Sequence, residues 1–220
     1  MIELKGLSKT YSVSGKTIKA VQPLDLSVQK GDFVSIVGHS GSGKSTFLSL
    51  IGGIARPDTG SVSIDNNNIW NSTDKERSRL RNEKFGFVYQ FASLIPTLTA
   101  TENVLLPTVF GGSKTRTDAK HLLELVGLGD KADRYPSELS GGEQQRIAIA
   151  RAFINAPEII LADEPTGDLD EETEAEIMTF FERTNKEGKV TMIMVTHSSE
   201  IALRAQRRFR MKQGILEKLN

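Results

Sequence analysis

The sequence predicts an α/β fold built around a parallel sheet. Short apolar, β-branched runs alternate with segments of helical periodicity, the pattern of βαβ units joined by right-handed crossovers. One such run, residues 33–37, breaks directly into the glycine-rich stretch Gly38-His39-Ser40-Gly41-Ser42-Gly43. Another, residues 158–163, ends on the adjacent acids Asp163 and Glu164. Open parallel sheets bind their ligands at the carboxyl ends of strands, where these polar motifs lie.

The elements follow in order along the chain. Residues 2–5, 19–28 and 33–37 read as strands, and residues 44–53 as a helix with apolar Phe47, Leu48, Leu50 and Ile51 on one side. Residues 61–65 read as a strand closed by the turn Asp65-Asn66-Asn67-Asn68, because asparagine tolerates positive φ. Residues 85–89 are a further buried strand. From about 91 to 151 apolar residues recur at helical spacing, as in Leu122, Leu123, Leu125 and Val126. Glycines 111, 112, 127, 129, 141 and 142 punctuate that stretch, which reads as a helical insertion. Then come a strand at 158–163, a helix at 171–186, a strand at 190–196, a helix at 199–205 and two short strands.

Composition narrows the function. The 220 residues hold 28 Lys+Arg against 28 Asp+Glu, so formal net charge is zero and no basic excess supports a nucleic-acid partner. A 38% hydrophobic content is that of a folded domain. With no cysteine, disulfides, thiolate metal sites and cysteine nucleophiles are excluded. The first five residues lack an apolar signal region, and apolar runs such as 190–195 are of strand length. The expectation is a chain soluble by itself, reaching any membrane through a partner. Arg208, Arg210 and Lys212 alternate with Phe209 and Met211, the pattern of a half-buried strand with charged edge protection.

The stretch Gly38-His39-Ser40-Gly41-Ser42-Gly43-Lys44-Ser45-Thr46 fits G-x-x-x-x-G-K-[ST]. Four residues between the glycines let successive backbone N–H groups wrap a phosphate, and the following helix adds its free N–H groups and positive dipole end. Lys44 supplies a point charge for the β- and γ-phosphates, and the Ser45 hydroxyl a ligand for Mg²⁺. Asp163 is placed to hold Mg²⁺, and Glu164 to orient or deprotonate the attacking water. Nucleotide binding follows from this pairing; His39 fills a variable loop position without assigned chemistry.

Further residues carry a family resemblance. Leu139-Ser140-Gly141-Gly142-Glu143 resembles the signature sequence of ABC ATPases, ahead of the acidic strand end by the family's usual distance. Gln90 is similar to the family's Q-loop glutamine, Asp168-Leu169-Asp170 to its D-loop, His197 to its switch histidine, and Tyr11 to the aromatic that stacks on adenine. The order of the motifs is that of the family, and the resemblance covers essentially the whole chain. It implies a P-loop NTPase core with a parallel sheet, an N-terminal antiparallel β subdomain and a helical insertion. Residues 1–90 and 156–220 then form the catalytic core, and about 91–155 the signature subdomain.

It also implies ATP and Mg²⁺ as ligands, Gln90 reaching Mg²⁺ or the lytic water, and His197 sensing the γ-phosphate. Two copies, or this chain and a similar ATPase chain, would sandwich two ATP molecules, each signature helix capping the γ-phosphate held by the other. Ser140-x-x-Glu143 reads by itself as a capping box, and the glycine pair behind it leaves the helix end open to an anion. Residues 162–170 and 140–146 resemble the ATPases of lipoprotein-releasing, macrolide-export and cell-division systems. That implies an ATPase subunit at the cytoplasmic face of the inner membrane, driving permease subunits on separate chains through a groove near residues 91–106. The alternative is a non-transporting regulatory ATPase of the cell-division type. Two departures stand out: Glu143 replaces the commonest glutamine, and Asn66-Asn67-Asn68 stands where glycine is frequent.

Overall fold

The computed structural model describes residues 1–13, 15–110, 117–188 and 190–219; glycines 111 and 112 of the sequence reading lie outside these. The chain opens with β1 (Ile2–Val13) and β2 (Lys16–Val28), paired antiparallel with bulges after Leu4, Leu7 and Lys9. Then come β3 (Phe33–Val37) and α1 (Lys44–Ile51). Next are β4 (Thr59–Ile64) and the two-residue β5 (Asn67–Asn68), joined by a turn in which Asp65 and Asn66 take φ of 50° and 66°. The asparagine there supplies the left-handed backbone that glycine gives elsewhere. Helix α2 (Asp74–Lys84) leads into β6 (Phe85–Val88).

The helical stretch holds α3 (Ala100–Leu105), α4 (Ala119–Leu125) and α5 (Gly141–Phe153), with short 3₁₀ turns between them. The chain finishes with β7 (Ile159–Asp163), α6 (Glu171–Gly188), β8 (Thr191–Thr196), α7 (Ser199–Ala202), β9 (Arg207–Lys212) and β10 (Ile215–Lys218). Two sheets result: an antiparallel one of order β2-β1-β4-β5 and a six-stranded one of order β10-β9-β3-β8-β7-β6. The latter is parallel except for β10.

Every residue of β3 and β8 is buried, as befits parallel strands covered on both faces. Alternation decides which face each side chain serves. Ile160 and Ala162 of β7, with Met192 and Met194 of β8, join a core with Leu123, Ile147, Met178 and Phe181 from the helices. Ile159, Leu161, Ile193 and Val195 point the other way, into a core with Phe47 and Leu50 of α1 and Leu4, Leu7 and Val62 of the antiparallel sheet. One continuous sheet thereby fixes the helical part on one side and the β part on the other.

The differences from expectation have physical causes. β1 and β2 run further than the apolar segments suggest, because backbone pairing continues out to Val13 and Lys16 regardless of side-chain polarity. Helix α2 has no buried residue, so it lacks the apolar stripe that would announce it. It stands on its capping box: Glu76 N–H donates to the Thr73 hydroxyl, and Thr73 N–H donates to the Glu76 carboxylate. β9 is not an edge: it lies between β3 and β10, and its alternation reflects one buried face, with Phe209 and Met211 in the core beside Phe47 and Leu50. Helix α7 stops at Ala202 instead of residue 205.

Candidate nucleotide site

The sheet order places three strand ends side by side. β3, β8 and β7 are neighbours, so the loop after Val37, His197 after Thr196 and Glu164 after Asp163 converge. Residues 38–43 form the loop, and Gly43 is the glycine its shape demands. Its φ is +107°, and a Cβ there would stand 1.9 Å from the Ala20 carbonyl oxygen. The loop is held from behind by the β9–β10 turn, where Gly214 N–H donates to Ser42 O (2.9 Å), and from the sheet, where Gly38 N–H donates to Thr196 O (3.2 Å).

Helix α1 starts without a side-chain cap and without an acid in its first turn, so its N–H groups and positive end are left for a ligand. Lys44 is buried and held inside the loop, donating to the carbonyls of Gly38 (2.6 Å) and His39 (3.2 Å). Its Nζ is 3.5 Å from Glu164 Oε1. Glu164 is itself buried and held by His197 twice: the backbone N–H donates to Oε2 (3.0 Å), as does Nδ1 of the ring (2.9 Å). A carboxylate only accepts, so this pairing puts the ring proton on Nδ1. Glu164 adopts φ of 48°, an unusual backbone state for a non-glycine residue and one typical of functional turns. Its N–H is anchored to Val195 O at 2.9 Å.

Burial pushes the Asp163 carboxyl above its ordinary value; a hydrogen bond from Ser45 opposes the shift, and the neighbouring Glu164 charge adds to it. A cation held by these groups would relieve that desolvation, since Asp163 and the Ser45 hydroxyl are oxygen donors of the kind Mg²⁺ takes. The buried Ser42 hydroxyl has no hydrogen-bond partner among the described residues, an orphan within the phosphate loop that a phosphate oxygen would satisfy. On both observations the residues fit a magnesium nucleotide.

A cleft of about 570 Å³ gathers Tyr11, His39, Ser40, Gly41, Ser42, Gly43, Lys44, Ser45, Thr46, Gln90, Asp163, Glu164 and His197, a volume within the usual range for small ligands. Gly38 stands at the start of the same loop. Ile18 and Ala20 also line the cleft, and sequence reading missed them. Ile18 faces Tyr11 across the β1–β2 ladder, a pairing that only strand register reveals.

Ser140, Gly141, Gly142, Glu143 and Asp168 lie outside this cleft. Ser140 caps α5: Glu143 N–H donates to its hydroxyl (3.2 Å), and Ser140 N–H donates to Glu143 Oε2 (2.7 Å). Glu143 therefore turns back onto its own helix, where an ion pair to Lys131 and the Ser140 cap hold its carboxyl down at about 2. A Cβ on Gly141 would meet nothing within 4 Å among the described residues, and one on Gly142 would meet Leu169 at 3.3 Å.

Comparisons with known proteins agree with this geometry. The family model for ABC transporters matches residues 21–167. The lipoprotein-releasing system ATP-binding protein LolD 1 of Chlorobium chlorochromatii is 43% identical over 219 residues, 97% of this chain and 89% of that protein. The macrolide export ATP-binding/permease protein MacB of Syntrophobacter fumaroxidans is 42% identical over 99% of this chain, which spans 31% of that longer protein. MJ0796 of Methanocaldococcus jannaschii, described as a dimeric bacterial ABC transporter cassette, superimposes with a TM-score of 0.93 at 42% identity, covering 100% of this chain and 99% of that one. A second structure of that cassette, described as a dimeric post-hydrolysis state bound to ADP and Pi, gives 0.92 at 41% identity with the same coverage.

Proposed function

The chain belongs to the ABC transporter family as an ATPase cassette, and from that premise we propose that it is the ATP-hydrolysing subunit of a membrane transporter, working as an ATP-bound dimer. The observation that carries the proposal is Glu164, buried at a strand end, bonded to His197 and 3.5 Å from Lys44 beside the phosphate loop. That is where a base for an attacking water belongs.

Residues 38–46 hold the ATP phosphates, with Lys44 moving from the loop carbonyls onto the β- and γ-phosphates. Tyr11 and Ile18 take the adenine. Ser45, Asp163 and Gln90 would hold Mg²⁺, which when bound would neutralise phosphate charge. Glu164 orients the water and draws its proton, while His197 keeps the carboxylate aligned and contacts the γ-phosphate through its other ring nitrogen. Ser140, Gly141 and Gly142 of a second subunit cover that phosphate from the far side, with Asp168 at the subunit boundary. Phosphate release reopens the pair.

The cassette sits against a permease at the cytoplasmic face of the membrane. No helix among the described residues is long and apolar enough to cross a membrane. Tyr89, Phe91, Ile95 and Leu105 expose apolar surface beside Gln90 and receive the permease. Residues 91–155 move as a unit against the core. The lipoprotein-releasing and macrolide-export relatives support a system of the export type or of the lipoprotein, lipid or peptide release type. Purified chain hydrolyses Mg-ATP, and Glu164→Gln lowers turnover by about 10²–10⁴-fold with nucleotide still bound; unchanged turnover contradicts the role of Glu164. Purification from the native membrane recovers an integral membrane subunit.

A further inference from the structure

Gln145 lies on α5 three residues past Gly142 and is 2% exposed. A buried carboxamide needs partners, and this one has found two of unusual consequence. Its Nε2 donates to the Tyr89 carbonyl (2.9 Å) and to the Pro165 carbonyl (3.3 Å). Tyr89 precedes Gln90, and Pro165 follows Glu164. A single side chain of the helix that starts at Gly141 is thus bonded to both loops that carry the groups placed around the water.

The partners are 56 and 20 residues away in sequence, so chain connectivity imposes neither contact. Further along the same helix, Arg151 donates to Ala92 O (2.7 Å) and Ser93 O (3.1 Å). The helix therefore grips the segment around Gln90 on both sides, and through Gln145 it also grips the turn after Glu164. The chemistry selects a glutamine: two N–H donors on one planar nitrogen reach two carbonyls. Leucine has the size without the donors, and glutamate would turn an acceptor toward each carbonyl. Asparagine is shorter by one methylene. The turn it anchors holds Glu164 at φ of 48°, a backbone state that persists only where surrounding contacts enforce it.

We infer that Gln145 is a positioning residue that sets Gln90 and Glu164 relative to each other and to the signature helix. Hydrolysis then depends on where that helix stands. Gln145 is not among the residues lining the cleft; it acts through the backbone of two loops. The inference rests on the roles proposed above for Gln90 and Glu164.

The test compares Gln145→Leu with Asn185→Leu in the full chain. Asn185 is equally buried, donates in the same manner to Gly31 O (2.9 Å) and Val190 O (2.8 Å), and lines no part of the cleft. Both variants lower the unfolding midpoint. Only Gln145→Leu loses kcat, by about tenfold to a hundredfold, with KM for Mg-ATP within about threefold. Gln145→Glu, of equal size, loses kcat likewise. Equal kcat losses in Gln145→Leu and Asn185→Leu, or a loss confined to KM, overturn the inference. Should Gln145→Leu not fold, Gln145→Asn is read by the same criteria. Glu164→Gln in the same assay separates the two levels: normal turnover there overturns the underlying reading. Impaired Glu164→Gln beside unimpaired Gln145→Leu overturns only the role of Gln145.

Discussion

The chain has two helix N-termini that the motifs assign to phosphate, and they are finished in opposite ways. Helix α1 begins at a left-handed glycine with no side-chain cap and no acid in its first turn. Helix α5 begins with a complete capping box, Ser140 and Glu143 satisfying each other, and Lys131 pairing the acid. The α1 end is unfinished within the chain and is completed by ligand. The α5 end is finished for folding, with the N–H groups of its two glycines still free of the box. The difference teaches which end belongs to the chain's own cleft. The α1 end lies in the cleft with Lys44, Asp163, Glu164 and His197; the α5 end lies outside it and, in the proposed dimer, faces another subunit.

The largest effect that would break this contrast is at the open end. Lys44→Ala removes the charge aimed at the phosphates, and turnover falls by more than about a hundredfold. The chain still folds, losing about 1–3 kcal/mol for the unpaired Gly38 and His39 carbonyls, as denaturant titration would read. A smaller effect sharpens the other end. Gly141→Ala meets nothing among the described residues and improves helix propensity, so stability rises by about 0.5 kcal/mol. Turnover nonetheless drops about tenfold, because the added methyl stands where the partner's γ-phosphate must come. Stability and activity moving in opposite directions is the signature of a surface reserved for a second subunit.

The smallest effect concerns the cap. Glu143→Gln keeps the reciprocal capping bonds and loses the Lys131 ion pair, costing less than about 1 kcal/mol at neutral pH. Glu143 is held at about 2 against an ordinary 4.5. A depressed carboxyl contributes stability fully above its unfolded value and loses it as pH falls through the folded value. The wild-type unfolding midpoint therefore declines between pH 4.5 and 2, and Glu143→Gln flattens that decline.

The site was legible where chemistry is local. The phosphate loop, the acids after β7 and His197 each sit at the end of an apolar strand, and strand ends in a parallel sheet converge whatever the loops between them do. The capping role of Glu143 was legible for the same reason, since Ser140 and Glu143 are three residues apart. What was not legible was long in range or lacked an apolar signal. Helix α2 presents only Thr73 and Glu76 as a start signal and buries nothing. β9 looked like an edge because its partner β10 is short and largely exposed. Gln145 stands inside a recognisable motif, but its partners Tyr89 and Pro165 are fixed only by packing α5 against the sheet.

The contrast between the two helix ends makes one demand above the rest: the α5 end must act on nucleotide held by another copy. Size-exclusion chromatography of Glu164→Gln, with and without Mg-ATP, tests it most directly. The account predicts a monomer without nucleotide and a dimer with Mg-ATP, the dimer abolished by adding Gly141→Asp to the same chain. A Glu164→Gln chain that binds Mg-ATP and remains a monomer would contradict it.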